Sequence, residues 1–159
     1  MSKNFLEIKN VSFRAGGKTK VRNVSFNIEN KGDIICLLGP SGVGKTTILR
    51  TIAGLEKIKS GSIKLKDNIL SSAKNHIEPE NRNISLSFQE NSLFPHYTVE
   101  KNIYLGAEAK KANGKKKINP KKIIQLLNIE KILSKYPHQI SAGEAQRAAL
   151  ARALVTQPD

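Results

Sequence analysis

The sequence is poor in several residue types, and each shortage excludes a class of protein. The 159 residues include one cysteine, Cys36, which excludes an internal disulfide framework and a cysteine-cluster metal site. The first ten residues lack the apolar stretch of a signal peptide. The uncharged run over 34–44 is too short and too rich in glycine to span a bilayer. We therefore expect neither a secreted disulfide scaffold nor an integral membrane protein.

Acidic residues are also scarce, with 13 Asp and Glu against 27 Lys and Arg, for a net charge of +14. Lysine supplies 21 of the cations, and segment 101–135 alone carries +8 from ten Lys and two Glu. Base recognition favours arginine, and stacking on bases needs aromatic residues, which make up only 5% of the chain. We therefore expect no nucleic-acid partner. A solvated lysine-rich surface explains the charge most simply, and contact with acidic lipid headgroups or a partner protein is the alternative.

Hydrophobic periodicity predicts an α/β fold. Alternating apolar residues predict strands over 5–13 and 21–28, with an irregularity near residues 9–10, and the continuous apolar run 34–38 predicts a strand buried on both faces. Further strands are predicted at 61–65 and 84–88, helices at 46–55, 99–107, 120–127, 130–135 and 141–154, and loops at 71–83 and 109–119. Residues 1–91 are expected to form the core, 92–140 a helical insert and 141–159 a final helical segment.

Residues 39–46 read GPSGVGKT and match the pattern of a phosphate-binding loop. Glycines let the backbone wrap so that successive N–H groups point at phosphate oxygens, and the helix that follows presents its positive end. Lys45 would reach the β- and γ-phosphates, and the Thr46 hydroxyl would bind Mg²⁺. A glycine-rich turn that happens to precede Lys-Thr is the alternative. The predicted buried strand before the loop and the amphipathic helix after it argue against that alternative.

A second constellation lies about 95 residues after Lys45, where residues 140–147 read ISAGEAQR. Ser141 followed three residues later by Glu144 is a capping box, whose simplest meaning is a helix start. The small residues beside this cap also leave the helix N-terminus open to an anion.

Taken together, the motifs resemble the nucleotide-binding subunit of ATP-binding-cassette (ABC) transporters along the whole chain. GPSGVGKTT resembles the Walker A loop, Phe88-Gln89 the Q-loop, and ISAGEAQR the signature motif. The segment LFPHYTVEKNI resembles importers of the ferric-iron, sulfate, polyamine and sugar group. The resemblance implies a P-loop NTPase core with an antiparallel β portion and an α-helical insert. It also implies binding of ATP and Mg²⁺ and, in the complete domain, hydrolysis that drives solute uptake.

The resemblance assigns expected roles to individual residues. The phosphates and the metal would be held by Gly39, Pro40, Ser41, Gly42, Val43, Gly44, Lys45, Thr46 and Thr47. The signature residues, acting on the nucleotide of a second copy, would be Ser141, Ala142, Gly143, Glu144 and Gln146. Gln89 would contact Mg²⁺ or the attacking water. The helical insert and the Q-loop would dock on a membrane permease, which would place a homodimer at the cytoplasmic, inner face of the cell membrane.

The sequence departs from the family pattern at three points. Ala142 stands where the family prefers glycine, so its methyl group bears on close approach of a ligand. The position of the usual adenine-stacking aromatic residue is Ala15. Phe13, on the same strand face, is a candidate substitute, with a core role as the alternative. No segment matches the Walker B strand with its Asp-Glu pair or the later histidine, so we expect a C-terminally incomplete domain that has lost most turnover.

Two other functions remain open from the residues alone. The first is a nucleotide-binding module, or a decayed remnant, without turnover. The second is a DNA-associated cassette ATPase, a class that usually carries a long coiled coil or zinc modules between the two motifs. The sequence shows no sustained heptads and only one cysteine, which argues against the second.

Overall fold

The computed structural model describes residues 4–15, 18–87, 93–108 and 119–159. They form two compact units that divide between Ile84 and Ser85. The first unit is an antiparallel sheet with one helix, and the second is helical. No described helix combines the length and the apolar character that a bilayer crossing requires.

The sheet of the first unit contains four antiparallel strands in the order β2-β1-β3-β4. The strands are β1 (Leu6–Ala15), β2 (Lys18–Ile28), β3 (Ile58–Leu65) and β4 (Asn68–Ser72). The expected irregularity in β1 is a bulge, because the register shifts after Ile8 and Asn10 adopts a φ of 50°. The bulge keeps Val11 and Phe13 on the same buried face as Ile8. The core of this unit contains Leu6, Ile8, Val11, Phe13, Ile63, Leu65 and Leu70.

One helix, α1 (Lys45–Ala53), packs against this sheet. Its apolar spacing follows the prediction for 46–55: Ile48 and Ile52 pack against the core, and Thr51 is buried. The helix ends at Gly54, which has a left-handed φ of 91° and donates its N–H to the carbonyls of the last turn. The phosphate loop therefore leads directly into a helix that is anchored on the sheet.

The described residues of the second unit contain three α-helices, which are α2 (Val99–Glu108), α3 (Pro120–Leu126) and α4 (Ala142–Leu154). Asn119 caps α3, accepting a hydrogen bond from the Lys121 N–H at 3.0 Å, as its sequence predicts. The helix predicted at 130–135 is a single 3₁₀ turn over Glu130–Ile132, and a second turn covers Pro137–Gln139. The core of this unit contains Leu93, Val99, Ile103, Ile123, Ile124, Ile129, Ile132, Ala148, Ala149, Ala151 and Val155.

Two predicted strands are wrong. Residues 34–38 form no strand, and the side chains of Ile34 and Leu38 are 89% and 91% exposed instead of buried. Residues 84–87 are also irregular, and Phe88 lies outside the described residues. A strand needs a neighbour to complete its backbone hydrogen bonds, and within the described residues neither segment pairs with one. An apolar run alone therefore did not suffice to make a strand.

The predicted loop over 71–83 is wrong in part. Strand β4 extends into it as far as Ser72, and Pro79–Asn81 form a 3₁₀ turn. The side chain of Arg82 is almost completely buried. The two units are distinguished only by how compactly each part of the chain packs, which does not test the predicted division into functional segments. The division into 1–91, 92–140 and 141–159 therefore stays a prediction.

Candidate phosphate-binding site

The N-terminal end of α1 is not capped by a side chain of its own cap residue. Gly44 occupies the cap position with a φ of 110° and makes no side-chain capping hydrogen bond. The first turn contains no acidic residue. The first N–H groups of a helix need partners, and their combined dipole favours a negative charge. This end of α1 is therefore suited to an anion supplied from outside the helix.

Gly44 is required by both conformation and space. Its positive φ is one that residues with a side chain rarely adopt. A Cβ built on it would lie 2.5 Å from Cγ2 of Val21 on β2 and 3.8 Å from Cζ of Phe13 on β1. The glycine thus lets the phosphate loop approach the sheet closely, so the sheet fixes where α1 begins.

Lys45 directs its charge back over the loop. Its Nζ donates hydrogen bonds to the carbonyl oxygens of Gly39 and Pro40, at 2.7 and 2.8 Å. These bonds hold the ammonium beside the exposed loop surface. A phosphate oxygen carries negative charge, so it attracts the ammonium more strongly than a neutral carbonyl oxygen does. Lys45 is therefore placed to exchange its carbonyl partners for a phosphate.

Thr46 is exposed in the first turn of α1, where its hydroxyl is accessible to a metal ion. The described residues contain no group of three or more His, Cys, Asp or Glu side chains that could hold a metal. Mg²⁺ keeps several waters and commonly binds nucleotide phosphates, so one hydroxyl is a fitting protein contribution. Gln89, the other predicted metal contact, lies outside the described residues. The neighbouring Thr47 is half-buried, and its carbonyl accepts a hydrogen bond from the Thr51 hydroxyl at 2.6 Å.

The signature residues surround the N-terminus of α4, which is capped from within. The Ser141 Oγ accepts from the Glu144 N–H at 3.3 Å, while the Glu144 carboxylate accepts from the Ser141 N–H at 2.8 Å. The Ser141 hydroxyl also donates to this carboxylate at 2.9 Å. These hydrogen bonds lower the pKa of the Glu144 carboxyl below its ordinary value, the bond from the Ser141 backbone most of all. The predicted capping box is confirmed.

Ala142, Gly143 and Gln146 are exposed near this helix start. Neither Ala142 nor Gly143 has a positive φ, so the backbone itself does not demand glycine at these positions. A Cβ on Gly143 would meet only Nη1 of Arg147, at 3.7 Å, which is an ordinary contact. Any need for small residues here comes from what approaches the helix.

Phe13 does not fit the predicted adenine-stacking role. Its side chain is completely buried in the core of the first unit. A ring with no exposed face cannot stack on a base, so the structure supports the core alternative. The backbone of Ala15 ends β1.

The structure thus brings residues 39–47 together at one end of α1, in the first unit. It gathers the signature residues 141–146 at the start of α4, in the second unit. Sequence reasoning missed Arg82, which hydrogen-bonds to carbonyls at the other end of α1. One signal was present: Arg82 is one of only six arginines in a chain with 21 lysines. A buried site with several acceptors selects arginine.

Comparison with known proteins identifies the family. A sequence model described as ABC transporter matches residues 21–159. The chain belongs to this family. The ABC match spans the phosphate loop, α1 and the helix that carries the signature motif, and it confirms the resemblance inferred from the three motifs.

Several curated ABC proteins are similar over almost the entire chain. An Fe(3+) ions import ATP-binding protein of Fusobacterium nucleatum is 39% identical over 97% of this chain and 40% of its own length. A probable sulfate/thiosulfate import ATP-binding protein of Chlorella vulgaris is 42% identical over 95% of this chain and 62% of its own length. An sn-glycerol-3-phosphate import ATP-binding protein of Brucella abortus is 40% identical over 99% of this chain and 44% of its own length. The chain thus spans about two fifths to three fifths of the length of these relatives.

Solved structures show the same fold. A nucleotide-free ATP-binding cassette from an ABC transporter matches with a TM-score of 0.80 and 24% identity, over 98% of this chain and 66% of the other. A dimeric ATP-binding cassette bound to ADP and Pi matches with a TM-score of 0.77 and 26% identity, over 96% of this chain and 70% of the other. The fold of this ABC chain is therefore α/β, of the P-loop cassette type, as predicted.

Proposed function

We propose that this chain binds ATP with Mg²⁺ as the nucleotide-binding part of an ABC importer. The observation that carries the proposal is the open N-terminus of α1. Its first turn has no acid and no side-chain cap, and Lys45 stands beside it. A triphosphate supplies the missing negative charge, and backbone N–H groups of the loop orient its oxygens.

In this proposal each residue of the loop has a separate task. Glycines 39, 42 and 44 all have positive φ and shape the cradle of N–H groups. Lys45 leaves the carbonyls of Gly39 and Pro40 and pairs with the β- and γ-phosphates. The Thr46 hydroxyl binds Mg²⁺, which neutralises phosphate charge when bound, and Gln89 is the proposed further contact. Pro40, Ser41, Val43 and Thr47 complete the loop.

A second copy of the chain completes the site in this proposal. The signature residues of one copy, Ser141 and Gly143 foremost, approach the γ-phosphate held by the other. Their exposure at the start of α4 supports this role. The similarity to a dimeric cassette bound to ADP and Pi supports it from outside the chain. Glu144, Gln146 and Ala142 line the same helix start.

The proposed membrane partner is an ABC permease, contacted through the helical insert and the Q-loop. Exposed aromatic residues precede α2: Phe94 is 46% exposed, its ring lies 6.1 Å from that of Tyr97, and His96 lies beside both. Such a patch fits a protein partner better than water. The binding would place the chain on the cytoplasmic side of the membrane. The three curated relatives are named for three different solutes, so we assign none.

ATP hydrolysis in the complete domain is part of the proposal, and binding without turnover is the second candidate. An assay of phosphate release by the purified chain separates the two. Release that disappears in Lys45→Ala supports hydrolysis by this chain, and its absence despite ATP binding supports the second candidate.

The binding test is a titration with a fluorescent ATP analogue in the presence of Mg²⁺. We expect saturable binding by the wild-type chain and a loss of about a hundredfold in Lys45→Ala, since a charge-assisted phosphate contact disappears. Lys57→Ala is the matched control, because Lys57 is an exposed lysine of the same unit. Equal affinities of Lys45→Ala and Lys57→Ala would contradict the proposal.

A further inference from the structure

The end of α1 opposite the phosphate loop is held by a buried cation. Arg82 is 1% exposed, and all five of its N–H donors have acceptors. Nη1 donates to the carbonyls of Thr51 and Ile52 in α1, at 3.0 and 2.9 Å. The remaining donors serve the Ile77 carbonyl (2.6 Å), the Ser71 hydroxyl (2.6 Å) and Nδ1 of His76 (3.2 Å).

The same cluster also fixes the residue that ends the helix. His76 Nε2 lies 3.1 Å from the Gly54 carbonyl. A Cβ on Gly54 would lie 2.5 Å from Nε of Arg82, so only glycine fits beside the guanidinium. A cation at a helix C-terminus is favourable, because the last carbonyls carry partial negative charge. Burial lowers the pKa of Arg82, yet Arg82 stays charged because arginine loses its proton only far above neutral pH.

The sheet therefore holds α1 at both ends. Gly44 lies against Val21 and Phe13 at the start of the helix. Arg82 connects its end to the carbonyl of Ile77, whose N–H donates to the Leu70 carbonyl on β4 at 2.9 Å. The lateral packing of α1 is one-sided, since Leu49 remains 45% exposed. A nine-residue helix is about 14 Å long. A tilt of about 5° at one end therefore moves the other end by about 1 Å, enough to disturb a phosphate site.

We propose that Arg82, aligned by His76, is a positioning residue that sets nucleotide affinity through its hydrogen bonds to the end of α1 and hence the orientation of that helix. The inference rests on the proposed function, because it assumes that the phosphate loop binds nucleotide. Arg82 touches no phosphate. It acts by fixing the helix from which Lys45 and Thr46 project.

The test measures affinity for a fluorescent ATP analogue with Mg²⁺ alongside the midpoint of thermal unfolding. Arg82→Lys keeps the charge but cannot satisfy both α1 carbonyls and the other acceptors, so we expect its Kd to rise about tenfold, within the usual range of coupling between separate sites. Ser71→Ala is the matched control. It removes one acceptor of Arg82 and lowers the unfolding midpoint, but it leaves the bonds to Thr51 and Ile52 in place, so its Kd stays at the wild-type value.

His76→Ala tests the same end of the helix by a milder route, should Arg82→Lys fail to fold. It removes the partner of the Gly54 carbonyl, and we expect a Kd about threefold above wild type, as for other mutations that contact no ligand. Wild-type Kd in folded Arg82→Lys and His76→Ala, or a Kd in Ser71→Ala that rises as much as theirs, would overturn the inference. Failure of the proposed function looks different, because the wild-type chain itself would then not bind nucleotide.

Discussion

Helices α1 and α4 both begin at small residues, but they satisfy their first N–H groups in opposite ways. At α1, Gly44 has no side chain to offer, and the first turn contains no acid. At α4, Ser141 and Glu144 cap each other reciprocally, and the carboxylate lies at the N-terminus. One helix start lacks an anion, and the other already contains one.

This difference indicates which of the two helix starts binds a phosphate first. The start of α1 has no carboxylate in its first turn, so we expect a phosphate to bind there without displacing one. The start of α4 is complete, and its Ser141 hydroxyl already donates to Glu144. A phosphate approaching α4 therefore meets a carboxylate. We expect α1 to hold the nucleotide and α4 to add a contact only once the nucleotide is bound by another copy.

The largest difference in stability between the two helix starts is expected when a methyl group is added to a glycine of each. Gly44→Ala introduces a Cβ 2.5 Å from Val21 Cγ2 at a φ of 110°, and we expect a loss of about 3 kcal/mol in unfolding free energy, with nucleotide affinity falling as well. Gly143→Ala should leave the unfolding free energy unchanged, because the added Cβ makes only an ordinary van der Waals contact. Chemical denaturation of both variants gives the comparison, and equal stability of the two would contradict it.

A carboxylate placed in the first turn of α1 should turn this helix start into one like that of α4. Thr47 occupies the position in α1 that Glu144 occupies in α4. In Thr47→Glu we expect unfolding free energy to stay level or rise by about 0.5 kcal/mol, since an acid suits a helix N-terminus. Nucleotide affinity should fall about thirtyfold through charge repulsion.

Thr47→Gln is the neutral control for this substitution. Titration with the fluorescent nucleotide should show the full loss in Thr47→Glu and only a small one in Thr47→Gln. An equal loss in both would mean that size, and not charge, excludes the phosphate.

Removal of the cap of α4 should affect stability but not binding. Ser141→Ala removes the acceptor of the Glu144 N–H, and we expect a loss of about 1 kcal/mol in unfolding free energy. Ser141→Asp keeps a cap acceptor and should recover most of it. Nucleotide affinity of the single chain should be unchanged in both. A lower affinity in Ser141→Ala would mean that α4 takes part in the first binding step.

The smallest effect is the pH dependence that comes from Glu144. Its pKa is lower in the folded chain, so its charge stabilises the fold above the unfolded-state pKa, and this contribution disappears as the pH falls through the folded value. Glu144→Gln keeps a hydrogen-bonding side chain without the charge. The unfolding midpoint of wild type should exceed that of Glu144→Gln near neutral pH, and the two should converge in acid. A difference that grows on acidification would contradict the assigned hydrogen bonds.

The sequence predicted those features whose causes are local. Asn119 and Ser141 mark the starts of α3 and α4, because a cap depends on a side chain and an N–H a few residues apart. The phosphate loop could be predicted from the sequence for the same reason. Its glycines, Lys45 and the apolar face of α1 lie within one short stretch of chain.

Features that depend on distant partners were predicted poorly. The run 34–38 has the composition of a buried strand, but strand formation needs a neighbour, which composition does not reveal. Arg82 gathers acceptors from β4, from residues 76–77 and from α1, the last about 30 residues away in sequence. Phe13 was assigned two roles by its spacing, and only its complete burial decided between them.

We expect the start of α1, and not that of α4, to receive the nucleotide in the free chain. Backbone amide chemical shifts, recorded by NMR on the dilute chain during titration with Mg²⁺ and a non-hydrolysable ATP analogue, test it residue by residue. The amides of residues 39–47 should shift and saturate together, while those of residues 141–146 stay in place. Saturable shifts at residues 141–146 with none at 39–47 would contradict the account.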